Sequence, residues 1–233
     1  MLKSPGLKAF TADADTILFD LDGTLLYTVE DLASAVNAAL SEYGFPVRTL
    51  EEVTSFIGNG VRVLMKRSAP EGISDDLFEK MLAFFTDYYL AHMFDSTRPY
   101  EGIPEAVAWL KASGCRLAIV SNKLDAATKK MNEKYFYPSI ELAVGAPPDH
   151  KKPDPESVFF AIRELNSVPE RTIYIGDTDV DLLTAENAGV RFIGCSWGFR
   201  GHEYLERLGV RHIADTPADL IKLFSLTGFQ KKR

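Results

Sequence analysis

Apolar residues fall into two rhythms along this chain. Five short runs, "TILFDLD", "RLAIVSN", "ELAVGA", "TIYIGD" and "RFIGCSW", are nearly continuous in apolar and β-branched residues. Strands of a parallel sheet covered on both faces read this way. Between them, apolar residues recur at helical spacing. Glu105 to Ser113 follows Pro104 and stops at Gly114, Pro155 to Leu165 forms a second segment, and Asp179 to Ala188 stops at Gly189. Strand and helix in alternation predict an α/β fold: a Rossmann-like, five-stranded parallel core sheet with helices on both faces and right-handed crossovers.

One interval breaks the alternation. Between the first two strand-like runs lie about ninety residues, far more than a crossover needs. Thr28 with Asp31 reads as a helix start in the manner of a capping box. Leu32, Val36, Leu40 and Tyr43 then form a stripe that ends at Gly44. A longer helix runs through "DDLFEKMLAFFTDYYLAHMF", with Leu77, Met81, Phe85 and Tyr88 on one side, widened by Phe78 and Tyr89. These aromatics read as packing, not as a ligand cage. The interval predicts a small inserted α-helical cap domain over residues 28–96, with 1–27 and 97–233 forming the core.

Composition narrows the picture. With 233 residues and 46% hydrophobic content, the chain can bury one large core, or one core with an insertion. A net charge of −7 at 25% charged residues supplies no field suited to nucleic acid or to an anionic membrane surface. Cys115 and Cys195 each sit in apolar surroundings and read as reduced core thiols, which points to the cytoplasm. "MLKSPGLKAFTADAD" has no apolar export segment, and no run is long enough to span a membrane. His92, His150, His202 and His212 have no metal-ligand spacing. The pattern does not distinguish a monomer from a homodimer.

Candidate chemistry begins with "FDLDGTLL", where an apolar strand ends in two aspartates. Residues two apart on a strand share a face, so Asp20 and Asp22 project together at the carboxyl end, where open α/β sheets bind ligands. Two adjacent carboxylates repel unless one holds a proton or a cation lies between them. A hard divalent ion such as Mg²⁺ fits that demand. Read alone, the pair could equally cap the turn before a helix. Three more stretches fall at predicted strand ends: "IVSNK" with Ser121, Asn122 and Lys123, "HKKPDP" with Lys152, and "IGDTDVD" with Asp177 and Asp181. Together they bring carboxylates, a hydroxyl and an ammonium to one rim, the inventory of a phosphoryl-transfer site.

In order and spacing, "DLDGT", a strand-end Ser, a Lys before Pro and "GDTDVD" resemble the haloacid dehalogenase-like phosphatases across nearly the whole chain. "GTLLYTVEDLASAVN", "FIGNGVRVLM", "RPYEGIPEAVAWLKASG" and "YIGDTDVDLLTAENAG" are most similar to phosphoglycolate phosphatases with a helical cap. Two positions depart from that pattern: Tyr27 stands where the family commonly has Asp, and Leu124 where it commonly has Pro. The resemblance implies a Mg²⁺-dependent phosphatase acting on a small phosphorylated metabolite, with 2-phosphoglycolate as the narrower candidate. It implies Asp20 as nucleophile and Asp22 as acid and base. Asp20, the Asp22 carbonyl and Asp177 would hold the metal, with Asp181 a further or more distant ligand. Ser121, Lys152 and the amides around Gly23 and Asn122 would bind phosphoryl oxygens, and Thr24 would orient Asp22.

For specificity the candidate segment is "FIGNGVRVLMKR". Gly58 and Gly60 permit a tight turn, and Asn59, Gly60 or Arg62 could meet a substrate carboxylate, with Lys66 one helical turn beyond. The alternative is a helix whose basic side chains face solvent. Tyr27 would shape the cap entrance. Two rival functions use the same residues: a phosphosugar mutase of the β-phosphoglucomutase type, and a non-catalytic phosphometabolite-binding protein.

Overall fold

The apolar runs do become strands, and side-chain alternation divides them between two cores. In the computed structural model, which describes residues 14–147 and 149–225, the first elements are β1 (Thr16–Phe19), β2 (Leu26–Tyr27), α1 (Val29–Glu42), α2 (Leu50–Phe56), α3 (Val61–Ser68), α4 (Asp75–His92) and β3 (Arg98–Pro99). Then follow α5 (Ile103–Ala112), β4 (Arg116–Leu124), α6 (Asp125–Tyr135), β5 (Leu142–Ala146), α7 (Glu156–Glu164) and β6 (Thr172–Gly176). The chain continues with α8 (Asp179–Ala188), β7 (Arg191–Cys195), α9 (His202–Arg207), β8 (Ile213–Ala214) and α10 (Pro217–Ser225).

The central sheet is parallel, in the order β5-β4-β1-β6-β7-β8. Among the described residues it has six strands where the sequence predicts five. The sixth, β8, pairs Ile213 and Ala214 with Gly194 and Cys195; two residues are too short to register as an apolar run. Ile17 and Phe19 of β1 join Leu117, Ile119, Ile173 and Ile175 in one core, which α5, α6 and α10 cover. Leu18 points the other way, into a second core with Ala118, Val120, Tyr174 and the apolar sides of α7 and α8. Burial on both faces accounts for the near absence of polar residues in these strands.

Helices α1 to α4 are interposed between β2 and β3, and their apolar residues are continuous with the first core. The α1 stripe buries Leu32, Val36 and Leu40. On α4 the fully buried residues are Met81, Phe85 and Tyr89, so the stripe runs through Tyr89, with Tyr88 at its edge. Ser74 caps α4 by accepting from the Leu77 amide, and Thr49 with Glu52 forms a capping box on α2. The segment leaves and rejoins the sheet domain through a short antiparallel ribbon, in which Leu26 opposes Pro99 and Tyr27 opposes Arg98.

At this junction one expectation is corrected. Thr28 precedes α1 but makes no capping hydrogen bond with its side chain. Asp31 instead reaches across to the returning chain, and its carboxylate accepts from the amides of Ser96 and Thr97, each at 2.9 Å. Charge-assisted bonds to two otherwise unpaired amides hold the outgoing and returning segments side by side.

Cys115 and Cys195 are free and buried. No helix among the described residues is long and apolar enough to cross a membrane; most of the stretch read for an export signal lies outside those residues. The Asp31 contact sets a stability test. Asp31→Ala strands both amides and should lower unfolding free energy by about 2–4 kcal/mol, measured by urea denaturation; a loss below roughly 0.5 kcal/mol would show that the clamp contributes little.

Candidate active site

The predicted catalytic and metal-binding segments emerge at the carboxyl edge of the sheet, where strands end and backbone pairing gives way to loops. Asp20 follows β1, and its amide still donates to the Ile175 carbonyl at 2.9 Å, so the ladder holds the residue in place. Ser121, Asn122 and Lys123 end β4 where its pairing with β5 jumps from Val120 to Leu124. Such irregularities re-aim side chains, and all three line one cavity with Asp20, Asp22 and Lys152. Asp177 follows β6. Asp181 lies in the first turn of α8, where it forms a capping box with Thr178.

Lys152 ties these segments together. Its ammonium donates to Asp20 Oδ1 and Asp181 Oδ1, each at 2.7 Å, and to the Tyr174 hydroxyl at 3.0 Å. Its side chain is only 3% exposed. Asn122 frames the same residue through the backbone: its Oδ1 accepts from the Lys152 amide at 2.8 Å, and its Nδ2 donates to the Lys152 carbonyl at 3.0 Å and to the Gly58 carbonyl at 3.2 Å. Asn122 is therefore already engaged on both side-chain atoms, one of them with the helical insertion.

Oxygens of Asp20, Asp177 and Asp181 lie within 4.8 Å of one another, all buried. Burial raises Asp20 to about 7, with the charges of Asp181 and Asp22 adding to the rise and Lys152 opposing it. Burial likewise holds Asp177 well above the usual carboxylate range, reinforced by Asp181 and Asp20. For Lys152 burial opposes the charge, but Asp181 and Asp20 outweigh it and hold the ammonium well above its ordinary value. Were all three carboxylates ionised, the one ammonium would leave two negative charges over. The all-oxygen donor set and this excess fit a hard divalent cation.

Asp177 is aimed by its neighbours. Its Oδ1 accepts from the Thr24 hydroxyl at 3.2 Å and its Oδ2 from the Phe199 amide at 2.9 Å. Thr24 thus orients Asp177, where the resemblance implied Asp22; the turn directs its hydroxyl toward β6. Gly23, at φ +86°, and Gly198 crowd the same carboxylate: a Cβ on either would lie 2.5 or 2.4 Å from an Asp177 atom. Only glycine fits so close an approach.

Asp22 sits beside this cluster with a different partner. Lys123, which was not singled out for a role, is buried and pairs with both Asp22 oxygens, at 2.8 and 3.2 Å. Its spacing from Ser121, two along a strand, was the available signal. The segment proposed for specificity divides. Gly58, Gly60 and Val61 line the cavity, but Arg62 points to the far side of α3, bonding Glu79 at 2.6 Å and lying over Phe78. Lys66 shares that outer pocket with Arg62, and Asn59 is not among the cavity-lining residues. Tyr27 belongs to the ribbon, edge-on to Tyr100 and under the Arg98 guanidinium, outside the cavity wall.

A doubly wound parallel sheet with an acidic cluster and a lysine at its carboxyl edge defines a class of hydrolase. Residues 17–195 match the family model of haloacid dehalogenase-like hydrolases. The phosphoglycolate phosphatase of Aquifex aeolicus is 34% identical over 213 residues, covering 89% of this chain and 95% of that protein. That of Caulobacter vibrioides is 32% identical over 219 residues, covering 90% and 92%. Among solved structures, a provisionally named phosphoglycolate phosphatase from Lactobacillus delbrueckii subsp. bulgaricus superposes with a TM-score of 0.84 at 30% identity, covering 91% of this chain and 98% of that one. The chain belongs to the haloacid dehalogenase-like hydrolases. It is an enzyme of that family, a phosphoglycolate phosphatase-like hydrolase.

Two tests follow from the carboxylate cluster. Gly198→Ala should push Asp177 aside and weaken binding of a divalent cation by roughly 10- to 100-fold with little change in secondary structure, read by calorimetric titration and circular dichroism; unchanged affinity would remove Asp177 from the ligand set. A cation must also displace protons held by the raised carboxyls. Affinity should therefore strengthen as pH rises from 5 to 8, with proton release visible as a buffer-dependent binding heat; a flat profile over that range would contradict this.

Proposed function

We propose that this enzyme is a Mg²⁺-dependent phosphatase that hydrolyses a small phosphomonoester through an aspartyl-phosphate on Asp20, with 2-phosphoglycolate the foremost candidate. The observation that carries the reading is the separation of two carboxylates facing one cavity. Asp20 is bound to Lys152 within the acidic cluster, and Asp22 stands apart from that cluster with Lys123. Different surroundings suit one carboxylate to attack and the other to proton transfer.

In this reading Asp20 attacks phosphorus, the phosphorus–oxygen bond to the leaving group breaks, and Asp22 gives its proton to the departing oxygen. Water then attacks the phosphorus of the aspartyl-phosphate. Asp22 takes a proton from that water, and the bond to Asp20 breaks to release inorganic phosphate. Ser121 and Lys152 hold phosphoryl oxygens as charge shifts among them. Asp20, Asp177 and the Asp22 carbonyl would hold Mg²⁺, with Asp181 tied to Lys152 beside them. When bound, the ion supplies positive charge that lets an anionic nucleophile approach an anionic substrate.

Residues 28–96 act as a cap over the cavity and exclude bulk water. With Arg62 turned to Glu79, the parts of the specificity segment left on the cavity wall include Gly58 and the start of α3 at Gly60 and Val61, and a helix N-terminus favours an anion. That geometry and the names of the relatives support a carboxylated substrate. The two free, buried thiols suit a cytoplasmic enzyme.

A phosphate-release screen with phosphoglycolate, sugar phosphates, nucleotides and p-nitrophenyl phosphate tests the reading. Turnover should require Mg²⁺ and vanish in excess EDTA. Asp20→Asn should lower kcat by at least about 10³-fold while the protein stays folded, because an amide neither attacks phosphorus nor neutralises the ion. Transfer of phosphate back to substrate without net release would identify a mutase. Substantial turnover by verified Asp20→Asn protein would sink the covalent route.

A further inference from the structure

We infer that Lys123 is a positioning residue for the reaction: it fixes the Asp22 carboxylate and ties its placement to the helical insertion through Tyr89. The inference rests on the reading of Asp22 as acid and base. Lys123 ends β4 in the irregular stretch after Val120, its side chain is 1% exposed, and its ammonium lies 2.8 and 3.2 Å from the two Asp22 oxygens. On the opposite side it faces the Tyr89 ring, with Nζ 4.6 Å from the centroid. Tyr89 is fully buried on α4 and stacks in parallel on Phe85 at 5.8 Å. The ammonium is therefore held between a carboxylate of the sheet domain and an aromatic face of the insertion.

This arrangement decides between two roles. The two Asp22 oxygens lie too close together to take separate protons, so they share one ammonium proton between them, while the Tyr89 ring covers another approach. Lys123 lines the cavity, and its close pairing with both Asp22 oxygens assigns it to that carboxylate in place of the substrate anion. Stability alone is a poor reason for it, because a buried ion pair commonly gains little over apolar packing. Asp22 has strong reason to need a partner. The loop fixes its backbone, with the Gly23 amide bonded to the Leu26 carbonyl, yet among the described residues only the Lys123 side chain donates to its carboxylate. Lys123 sets the rotamer, and the Tyr89 face sets Lys123. Movement of α4 relative to the sheet would release both.

The test separates substrates by leaving group. An alkyl phosphate such as 2-phosphoglycolate needs a proton delivered to its departing oxygen; p-nitrophenyl phosphate scarcely does. In Lys123→Met, kcat for the alkyl substrate should fall on the order of 10²-fold with KM little changed. The first step with the aryl substrate should be nearly intact, seen as a burst of nitrophenolate, and phosphoenzyme should accumulate because hydrolysis also needs Asp22. Lys123→Arg, which keeps the charge, should recover part of the alkyl turnover. Tyr89→Leu should shift the same ratio in the same direction by a smaller factor, which keeps the test open if Lys123→Met does not fold. Equal losses in the rate of the first step on both substrates, a loss confined to KM for the carboxylated substrate, or no loss would each overturn the inference. A wild-type enzyme without phosphatase turnover would instead overturn the reading beneath it.

Discussion

Burying three carboxylates together is possible only because Lys152 stands among them. Its ammonium bridges Asp20 and Asp181, and burying a charge that deeply is tolerable only when its donors are satisfied. Tyr174 meets that condition at the third position and donates its own hydroxyl hydrogen bond to the Val120 carbonyl at 2.7 Å. The interaction therefore spans β4, β1 and β6. Phe19 sits level with Ile119 on one side and Ile175 on the other, so Asp20, Ser121 and Asp177 leave the sheet at nearly one height. A slip of one residue in either pairing would turn the strand's side chains to the opposite face and take its contribution out of the site.

Around that bridge the site divides into two electrostatic compartments. One holds Asp20, Asp177 and Asp181 with Lys152 and, with all three carboxylates ionised, carries excess negative charge. The other holds Asp22 with Lys123. The split assigns different work to two carboxylates only two residues apart, and the glycines at 23 and 198 let backbone approach Asp177 closely enough to keep the first compartment dense.

The helical insertion reaches this apparatus at few points. Gly58 accepts from Asn122, Arg200 donates to the carbonyls of Ser55 and Ile57, and Tyr89 covers Lys123. Its two connections to the sheet are held side by side by the β2–β3 ribbon and by Asp31. A segment attached through a narrow base, touching both Asn122, which frames Lys152, and the partner of Asp22, is suited to report its position to the chemistry.

Much of this was legible in the residue pattern because it depends on local periodicity. Apolar runs and helical stripes marked five of six parallel strands and the long helices, and strand-end placement marked Asp20, Asp22, Ser121, Lys152, Asp177 and Asp181 as one group. The short β8 escaped because two residues carry no period. What the fold alone decided are pairings between segments distant in sequence: Lys123 with Asp22, Thr24 with Asp177, Asp31 with the amides at 96 and 97, and Arg62 with Glu79 and not the cavity. Spacing along a strand or helix states which face a side chain occupies, since that follows from backbone geometry. Which partner waits on that face depends on packing across the core, and for these residues no local rule encodes it.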